Sequence, residues 1–338
     1  MIVHENYSLK NHNTFGIDVA AKYFAEVNNI EDIIQLLAEP KFKISKKLVI
    51  GVGSNILFTK DFNGLVITQT SSRISIRDDG GDHILVTAEA GVIWHNLVLY
   101  CVERNLGGIE NLSLIPGKVG AAPIQNIGAY GQELKDVLYS VQGIDLNNFR
   151  IIELENSECK FGYRDSIFKN ELKNKIIITA VTLQLTKNPK LDINYGSIKE
   201  ELSKLLKPHV NLKDVSDVIC KIRQSKLPDP LKIGNAGSFF KNPEIPVTKF
   251  KALQERFADL PGYYVEESKM KIPAGWLIEK CGFKGKRFGN VGVHEKQALV
   301  MVNYGNALPE EVVKLKEKIK EEVKLIFDIE LKEEVNIL

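Results

Sequence analysis

The amino-acid sequence predicts an α+β fold, and three observations support that class. The chain has 338 residues and is 44% hydrophobic, so it can bury a sizeable core in each of two or three domains. Segments with the two-residue period of strands are interspersed with segments that have the 3.6-residue period of amphipathic helices. The chain also changes character near residue 71 and again at the proline-containing segment 227–231, as domain boundaries do. We therefore predict three parts, at residues 1–70, 71–230 and 231–338.

The first part is predicted to be a small α/β unit. Residues 19–27 and 64–68 have extended character, residues 30–37 have helical spacing, and residues 47–50 form a short apolar strand. The loop at residues 51–55 (GVGSN) follows this last strand. Backbone amides at such a place can bind phosphate, although a tight strand-ending turn is the simpler explanation of the loop taken alone.

The other two parts mix strands and helices without an internal repeat, and their elements follow from hydrophobic periodicity. The predicted strands are residues 73–77, 83–88, 137–146, 150–154, 175–185, 298–303 and 334–338, with a turn at residues 78–81. The predicted helices are residues 94–106, 199–206, 212–226, 274–281 and 308–326.

The most unusual segment is residues 113–131 (SLIPGKVGAAPIQNIGAYG), which is rich in Gly, Ala and Pro and carries a single charge, Lys118. It is too interrupted for a helix and too apolar for a solvated loop. Small side chains let the backbone approach a large flat ligand, and amides outside a strand ladder can donate hydrogen bonds to that ligand. A glycine-rich connector between domains is the alternative. Together with the loop at 51–55, the segment suggests a ligand with a planar part and a phosphorylated part.

Composition argues against several classes of protein. The net charge is +2 with both signs mixed along the chain, so no basic stripe indicates nucleic-acid binding. The four cysteines are far apart and form no C-x-x-C pair, so we predict neither a metal site nor a disulfide framework. The sequence shows no signal-peptide core and no membrane-spanning apolar run. We expect a monomeric cytoplasmic protein with reduced thiols, no metal and no membrane insertion.

Three residues are candidates for chemistry on their own merits. Ser238 follows Gly237 and precedes two aromatic residues, outside any nucleophile-elbow pattern. Its hydroxyl fits a proton donor better than a covalent nucleophile, and a loop serine that caps backbone amides is the alternative. Arg164 lies among aromatic residues and can bind a carboxylate or phosphate with two hydrogen bonds, the alternative being an ion pair with Asp165 or another neighbour. For Glu334, residue type alone indicates an ordinary solvated or paired carboxylate.

Seven motifs run in order over nearly the whole chain. They are residues 13–15 (NTF), 49–55 (VIGVGSN), 115–131, 163–166 (YRDS), 237–243 (GSFFKNP), 274–279 (AGWLIE) and 331–335 (LKEEV). Together they resemble the UDP-N-acetylenolpyruvoylglucosamine reductase (UDP-N-acetylmuramate dehydrogenase) family, flavoenzymes of peptidoglycan precursor synthesis. Residues 191–196 (LDINYG) resemble the lid of the family's first type, whose tyrosine closes over the substrate.

The resemblance implies an FAD-binding domain of the vanillyl-alcohol-oxidase (PCMH) type in two subdomains, residues 1–70 and 71–230, with an FAD-binding region at about 15–187. Residues 231–338 would form a C-terminal α+β substrate-binding domain. FAD would bind without a covalent bond, with the loop at 53–55 on its pyrophosphate. The implied cofactor contacts are Gly51, Val52, Gly53, Ser54, Asn55, Pro116, Gly117, Gly120, Ala121, Ala122, Gln125, Asn126, Gly128 and Ala129.

The resemblance also implies the reaction. NADPH would give a hydride to the flavin, which would pass it to C3 of the enolpyruvyl group of a UDP-sugar, and C2 would be protonated to give UDP-N-acetylmuramate. Arg164 would then stabilise the charge that develops beside the substrate carboxylate. Ser238 would protonate C2. Glu334, which we expect to be buried and protonated, would donate a hydrogen bond to the substrate carboxylate.

Six further positions match the family's substrate contacts: Tyr130, Tyr195, Arg223, Lys226, Asn242 and Gln297. Lys226 and Tyr195 would contact the diphosphate, and Asn242 the uridine end. The chain departs from the common pattern in having Glu333 where proline is frequent, so either Glu333 or Glu334 could be the catalytic acid, and the following valine favours Glu334. A Val also stands at position 52, where Glu or Gly is frequent.

Two other functions are compatible with parts of this pattern. One is a flavin oxidase of the same FAD-binding superfamily, which would consume oxygen with an alcohol. The other is a non-catalytic protein that binds flavin or a UDP-sugar, and the presence of both Arg164 and Ser238 argues against it. The visible spectrum and the NADPH absorbance with and without the enolpyruvyl sugar would distinguish the three.

Overall fold

The computed structural model describes residues 1–78 and 80–338. Residue 79, in the predicted turn at 78–81, lies outside the described residues. The strands are β1 Val3–Ser8, β2 Ala20–Val27, β3 Lys47–Ile50, β4 Ile56–Leu57, β5 Phe62–Gln69, β6 Ile74–Arg77, β7 His83–Glu89, β8 Gly128–Ala129, β9 Gln132–Glu133, β10 Leu138–Asp145, β11 Ile151–Glu155, β12 Ile176–Thr186, β13 Gly234–Ser238, β14 Glu244–Pro246, β15 Tyr263–Glu266, β16 Lys269–Lys271, β17 Arg287–Phe288, β18 Val291–Val293, β19 Val300–Asn303 and β20 Asn336–Ile337. The α-helices are α1 Ile30–Ala38, α2 Pro40–Lys43, α3 Trp94–Glu103, α4 Ile198–Ser203, α5 Leu212–Lys226, α6 Val247–Arg256, α7 Ala274–Lys280 and α8 Pro309–Phe327.

The chain forms two compact units. Unit 1 consists of Met1–Tyr7, Ala21–Val52 and Phe62–Ser225, and unit 2 consists of Ser8–Ala20, Gly53–Asp61 and Lys226–Leu338. The three-part division predicted from the sequence remains a proposal. None of the helices in the described part of the chain combines the length and the apolar character needed to span a bilayer.

Unit 1 contains a sheet with the strand order β1-β2-β5-β3, in which β2 and β3 both run parallel to β5. The alternating residues of these strands bury one apolar face against α1, which is amphipathic and begins where Asn29 Oδ1 accepts a hydrogen bond from the Asp32 amide. Leu36, Leu37 and Phe42 are fully buried in this core. The carboxyl end of β3 leads into the loop at 51–55.

A second sheet of unit 1 has the antiparallel order β11-β10-β12-β7-β6. Its apolar face packs in one core with α3, whose Leu97 and Val98 are fully buried. The sequence predicted that α3 continues to residue 106, but the helix ends at Glu103 because Asn105 adopts a φ of +55° and the Leu106 amide donates back to the Cys101 carbonyl. The segment 113–131 belongs to this core.

Unit 2 contains a sheet with the order β13-β19-β18-β17, a three-stranded sheet β14-β16-β15, and a parallel pair of β20 with β4. Helices α7 and α8 bury Leu277, Ile278 and Ile319 completely, and the inner strand β19 buries Val300 and Val302. The terminal strand predicted at 334–338 is only two residues long, since the amides of residues 334 and 335 bond to a different segment, described below.

Candidate active site

The 113–131 segment has an unusual backbone. Positive φ angles occur at Leu114 (+57°), Gly117 (+141°), Asn126 (+46°), Tyr130 (+52°) and Gly131 (+85°). A 3₁₀ helix over Val119–Gln125 lies between them, although the sequence predicted no helix here. Left-handed backbone at residues other than glycine persists only where surrounding contacts enforce it, and such positions cluster at ligand sites.

Backbone hydrogen bonds attach one side of this segment to the rest of unit 1. The Trp94 amide donates to the Gly117 carbonyl, and the amides of Val119 and Gly120 donate to the carbonyls of residues 92 and 90, at 2.8 to 3.0 Å. Val119 and Ala122 are buried, whereas Pro116 and Ala121 are exposed. Val119 and Ala122 therefore anchor the segment, and the exposed Pro116 and Ala121 leave another side of it accessible, which fits the approach of a flat ligand. The segment lies wholly within unit 1 and is not a connector between domains.

Lys118, the single charge of the segment, is used internally. Its Nζ donates to the Gln69 carbonyl at 2.6 Å and to Thr68 Oγ1 at 3.0 Å. Burial lowers the pKa of Lys118, and the charge of Glu26 acts in the opposite direction. A Cβ atom added at Gly51 would lie 3.4 Å from the Lys118 backbone nitrogen, so the first glycine of the loop at 51–55 packs closely on the segment.

Asn126 is likewise engaged within the protein. It is fully buried; its Nδ2 donates to Glu133 Oε2 at 2.9 Å and to the Gly162 carbonyl at 3.1 Å, and its Oδ1 accepts from the Lys135 amide. The Asn126 side chain therefore helps to hold the conformation of the segment. The neighbouring predicted contact Gln125 is half-buried.

Arg164 is half-buried in a tight turn, with a φ of +53°. The turn is closed by two backbone hydrogen bonds between Gly162 and Asp165. Arg164 Nη2 donates to the Gly128 carbonyl at 2.8 Å, and a Cβ atom at Gly128 would lie only 3.1 Å from Nη1. Asp165, the ion-pair partner considered from the sequence, accepts from Asn170 Nδ2 at 2.9 Å. The guanidinium is thus held in a fixed orientation against the 113–131 segment.

Three of the predicted substrate residues come together in unit 1. The Arg223 guanidinium on α5 lies beside the Tyr130 hydroxyl, and the Tyr195 ring packs edge-on against the Tyr130 ring with 6.1 Å between centroids. Burial raises the pKa of Tyr130 and lowers that of Arg223. Arg223 Nε is inaccessible to solvent and has no hydrogen-bond partner among the described residues. A buried, unsatisfied guanidinium donor beside an accessible tyrosine (Tyr195 is 54% exposed) suits an anionic ligand.

The lid segment, residues 191–196, is tied to Tyr130 by a residue that sequence reasoning missed. Asn111 is buried, and its Nδ2 donates to the carbonyls of Tyr130 and Asp192, both at 3.0 Å. A Cβ atom at Gly131 would lie 3.5 Å from Tyr195 Cδ2. Asn111 carries no local signal because both of its partners are distant along the chain.

In unit 2, the loop residues Gly53 and Asn55 have structural contacts of their own. Gly53 has a φ of +66°, and a Cβ atom there would lie 2.3 Å from the His12 carbonyl oxygen, so only glycine fits. Asn55 Nδ2 donates to the Glu334 carbonyl at 3.3 Å, and the Asn55 carbonyl accepts from the Asn336 amide at 3.0 Å. A predicted cofactor loop and a predicted catalytic segment are therefore directly bonded.

Ser238 and Glu334 lie on adjacent segments of unit 2. Ser238 ends β13 after a bulge and a Gly237 with a φ of +70° and nothing within 4 Å of its added Cβ. The amide of Glu334 donates to the Phe239 carbonyl at 2.9 Å. Both Ser238 and Glu334 are half-buried, whereas we expected Glu334 to be buried.

The neighbouring Glu333 has different surroundings. Its Oε1 lies 3.0 Å from Lys320 Nζ and 3.3 Å from Lys316 Nζ, both on α8. Burial raises the pKa of Glu333, but the hydrogen bonds and charges of these lysines outweigh that effect and hold it below its ordinary value. Glu333 is therefore an ionised carboxylate that forms ion pairs with two lysines of α8.

The remaining substrate positions divide into two groups. Asn242 and Gln297 both approach the first residues of α7: Asn242 Oδ1 accepts from the Ala274 amide at 2.9 Å, and Gln297 Oε1 lies 3.1 Å from an added Gly275 Cβ. Lys226 is exposed at the end of α5. Of the predicted residues, unit 1 contains Gly51, Val52, Pro116, Gly117, Gly120, Ala121, Ala122, Gln125, Asn126, Gly128, Ala129, Tyr130, Arg164, Tyr195 and Arg223, and unit 2 contains Gly53, Ser54, Asn55, Lys226, Ser238, Asn242, Gln297 and Glu334.

Two family models match the chain. Residues 229–338 match the model described as UDP-N-acetylenolpyruvoylglucosamine reductase, C-terminal domain, and residues 21–154 match the model described as FAD binding domain.

Similar proteins and a solved structure agree with these matches. A UDP-N-acetylenolpyruvoylglucosamine reductase from Flavobacterium johnsoniae is 47% identical over 339 residues and covers 100% of both chains. One from Pseudomonas aeruginosa is 47% identical over 333 residues and covers 98% of each. The crystal structure of the reductase from Thermus caldophilus aligns with a TM-score of 0.69 over 99% of this chain and 98% of that chain, at 22% identity, a likeness that concerns the fold alone.

Proposed function

This chain belongs to the UDP-N-acetylenolpyruvoylglucosamine reductase family, and from that premise we propose how its own residues carry out the reaction. The protein is an FAD-dependent oxidoreductase of peptidoglycan precursor synthesis, which uses NADPH to reduce UDP-N-acetyl-3-O-(1-carboxyvinyl)-glucosamine to UDP-N-acetylmuramate. The flavin oxidase considered from the sequence does not fit this membership. The presence of Arg164 and Ser238 argues against a protein that only binds.

The accessible small residues of the 113–131 segment would hold the flavin ring, and the loop at 53–55 would hold the pyrophosphate. When bound, FAD supplies the hydride chemistry that side chains lack. The strained, well-anchored backbone of the segment supports this assignment, since strain of that kind is characteristic of ligand clamps. Side chains of this chain then have to orient the enolpyruvyl group, balance its charge and supply one proton.

Arg164 would balance the negative charge that develops when the substrate is reduced next to its own carboxylate. Its hydrogen bond to the Gly128 carbonyl fixes the guanidinium before the reaction, so little reorganisation is required. Removing one preorganised donor of this kind costs a factor of about 10²–10³ in rate.

Ser238 would donate the proton to C2. A hydroxyl is a weak acid, so it can serve only a strongly basic acceptor, and the carbanionic carbon beside a carboxylate is one. The open space beside Gly237 leaves room for a ligand next to the serine. Glu334 would stay protonated and donate a hydrogen bond to the substrate carboxylate. The observation that supports these two roles is the hydrogen bond from the Glu334 amide to the Phe239 carbonyl. It places Ser238 and Glu334 on neighbouring segments that are hydrogen-bonded to each other.

Tyr130, Arg223, Tyr195 and Lys226 would bind the diphosphate of the UDP-sugar. The unsatisfied Arg223 Nε supports this assignment, because a phosphate oxygen would complete its hydrogen bonding. Asn242 and Gln297, which both approach the start of α7, would contact the uridine end.

Rapid-mixing kinetics test these roles because the NADPH-dependent and substrate-dependent halves of the cycle can be measured separately. Ser238→Ala should leave the NADPH-dependent half unchanged and slow the substrate-dependent half by about 10²–10⁴. Ser203→Ala, on α4, is the matched control. Equal slowing of both halves, or of neither, would exclude Ser238 as the proton donor.

We also propose that the protein acts as a monomer in the cytoplasm. Its four cysteines are free thiols, two of them buried, which suits a reducing compartment. Analytical ultracentrifugation of the holoenzyme tests the monomer, and a dimer at micromolar concentration would contradict it.

A further inference from the structure

His95, which no part of the proposed reaction uses, contacts the beginning of the 113–131 segment. It lies on the first turn of α3 and is half-buried. The Leu114 amide donates to His95 Nδ1 at 3.0 Å. Leu114 has a φ of +57°, a conformation that a leucine keeps only under constraint. The imidazole acceptor is one of the contacts that supply this constraint.

This hydrogen bond fixes the form of the ring. Because Nδ1 accepts, the proton of the neutral ring is on Nε2. Nε2 lies 3.9 Å from Cys220 Sγ on α5. The ring therefore connects the Leu114 turn with α5.

One face of α5 contacts both ends of the segment. Ser216, Cys220 and Arg223 are spaced four and three residues apart, so they share a side of the helix, called here the α5 polar face. Ser216 Oγ is 2.8 Å from Ser113 Oγ, at the start of the segment. The Arg223 guanidinium lies beside the Tyr130 hydroxyl, near the end of the segment. His95 contacts the middle of this face.

Burial and one charged group of α5, Arg223, affect the charge of His95. Burial and, after it, the positive charge of Arg223 lower the pKa of His95. Burial raises the pKa of Cys220, so its thiol is neutral and offers no negative charge to a protonated ring. The surroundings therefore favour the neutral imidazole, the form that can accept from Leu114.

We propose that neutral His95 is a positioning residue of the flavin site, which holds the left-handed turn at Leu114 so that the 113–131 segment is preformed for FAD. The inference rests on the proposed binding of FAD by this segment. Protonation places an N–H donor against the Leu114 N–H and a second cation near Arg223. It therefore releases the turn, and FAD affinity falls with it.

Three substitutions separate the roles of the two ring nitrogens. His95→Asn keeps an acceptor near the position of Nδ1 and cannot be protonated. His95→Gln reaches toward the position of Nε2, and His95→Phe keeps a ring without either nitrogen. His83→Asn, at an exposed position of β7, is the matched control. FAD dissociation constants are measured by flavin fluorescence on the full-length protein stripped of flavin, from pH 5 to pH 8. Long-range proton–nitrogen NMR of the six histidines gives the tautomer and pKa of His95. The signals that disappear in His95→Asn are those of His95.

The expected results follow from the loss of one hydrogen bond that restrains the backbone. At pH 8, His95→Phe and His95→Gln should weaken FAD binding about tenfold, whereas His95→Asn stays close to the parent protein. The parent should lose affinity as the pH falls below the ordinary histidine value of 6.5, and His95→Asn should not follow.

Several outcomes would overturn the inference. If NMR of the flavin-free protein shows the proton of His95 on Nδ1, the inference is wrong, because Nδ1 could then not accept from the Leu114 amide. Unchanged FAD affinity in His95→Phe, or a pH dependence that persists in His95→Asn, overturns it while the proposed function stands. A parent protein that fails to bind FAD overturns both.

Discussion

The adjacent residues Glu333 and Glu334 allow a test in which the same substitution, one position apart, separates stability from catalysis. Glu333→Ala removes a carboxylate that lies 3.0 Å from Lys320 Nζ and 3.3 Å from Lys316 Nζ. Glu334→Ala removes the proposed partner of the substrate carboxylate. We expect the first variant to lose stability and keep its turnover, and the second to lose turnover.

The magnitude for Glu333→Ala follows from the exposure of the three side chains. Glu333 is 23% exposed, Lys320 is 24% exposed, and Lys316 is only 10% exposed. An exposed pair contributes about 0–1 kcal/mol, and breaking a buried one costs about 3–5 kcal/mol. Lys316 keeps Glu317, 2.6 Å away, as a second partner. The free energy of unfolding should therefore fall by about 1–2 kcal/mol, which lowers Tm by about 2–8 °C.

The pH dependence of this difference has a definite sign. The pKa of Glu333 is lowered in the folded protein from its ordinary value of 4.5, so the carboxylate stabilises the fold at higher pH. That contribution is complete above 4.5 and is lost as the pH falls through the folded-state pKa. The difference in Tm between the parent and Glu333→Ala should be largest near neutral pH and shrink in acid.

Thermal unfolding from pH 3 to pH 8 and steady-state turnover of both variants check this reasoning. Glu334→Ala should lose a factor of about 10²–10³ in kcat. Turnover that is abolished in Glu333→Ala and retained in Glu334→Ala would mean that the catalytic acid has been assigned to the wrong residue. A Tm for Glu333→Ala equal to that of the parent at pH 7 would refute the estimate for the ion pairs.

Two further predictions concern the backbone and the lid. Gly53→Ala should lower the free energy of unfolding by at least ~2 kcal/mol, because its Cβ would lie 2.3 Å from a carbonyl oxygen at a φ of +66°. Gly237→Ala, at a position with open space around it, should lower the free energy of unfolding by only about 1 kcal/mol. Urea titrations of both variants measure the two losses. Equal losses would show that the clash is relieved by a small shift. Asn111→Asp replaces a donor to the Tyr130 carbonyl and the lid with a carboxylate that repels both, so KM for the UDP-sugar should rise at least about tenfold and the lid should be cut faster by protease. Asn188→Asp is the control, and an unchanged KM would show that the lid does not depend on Asn111.

The sequence predicted those elements whose signal is local. Helix α5 occupies the predicted residues because an amphipathic period and a proline after the last turn define it. The α+β class, the family and the FAD cofactor were also predicted correctly, since the motifs that indicate them are contiguous. By contrast, α3 ends early because Asn105 adopts a left-handed conformation that no residue pattern demands. The terminal strand is short because the amide of Glu334 finds the Phe239 carbonyl, a partner distant along the chain.

The residues that hold the proposed site were missed for the same reason. His95 and Asn111 act on backbone groups about 19 residues away or farther, and their residue types are common in unremarkable positions. The 3₁₀ helix at Val119–Gln125 was missed because tertiary hydrogen bonds to residues 90 and 92 sustain a conformation that Gly and Pro disfavour. Such contacts are visible only once the chain is folded.

The α5 polar face fixes the distance between the two ends of the 113–131 segment. Its first and last members are seven residues apart, or about 10 Å along the helix axis, and they meet two ends of a segment whose own geometry is irregular. The regular helix α5 thus determines how far apart the ends of the irregular segment lie. A single alanine inserted between Ser216 and Cys220 would advance everything beyond it by about 1.5 Å and turn it by about 100°, so that Arg223 would face away from Tyr130 while every other residue kept its identity. In proteins of this design, the length of a helix is as strictly specified as the side chains that it presents.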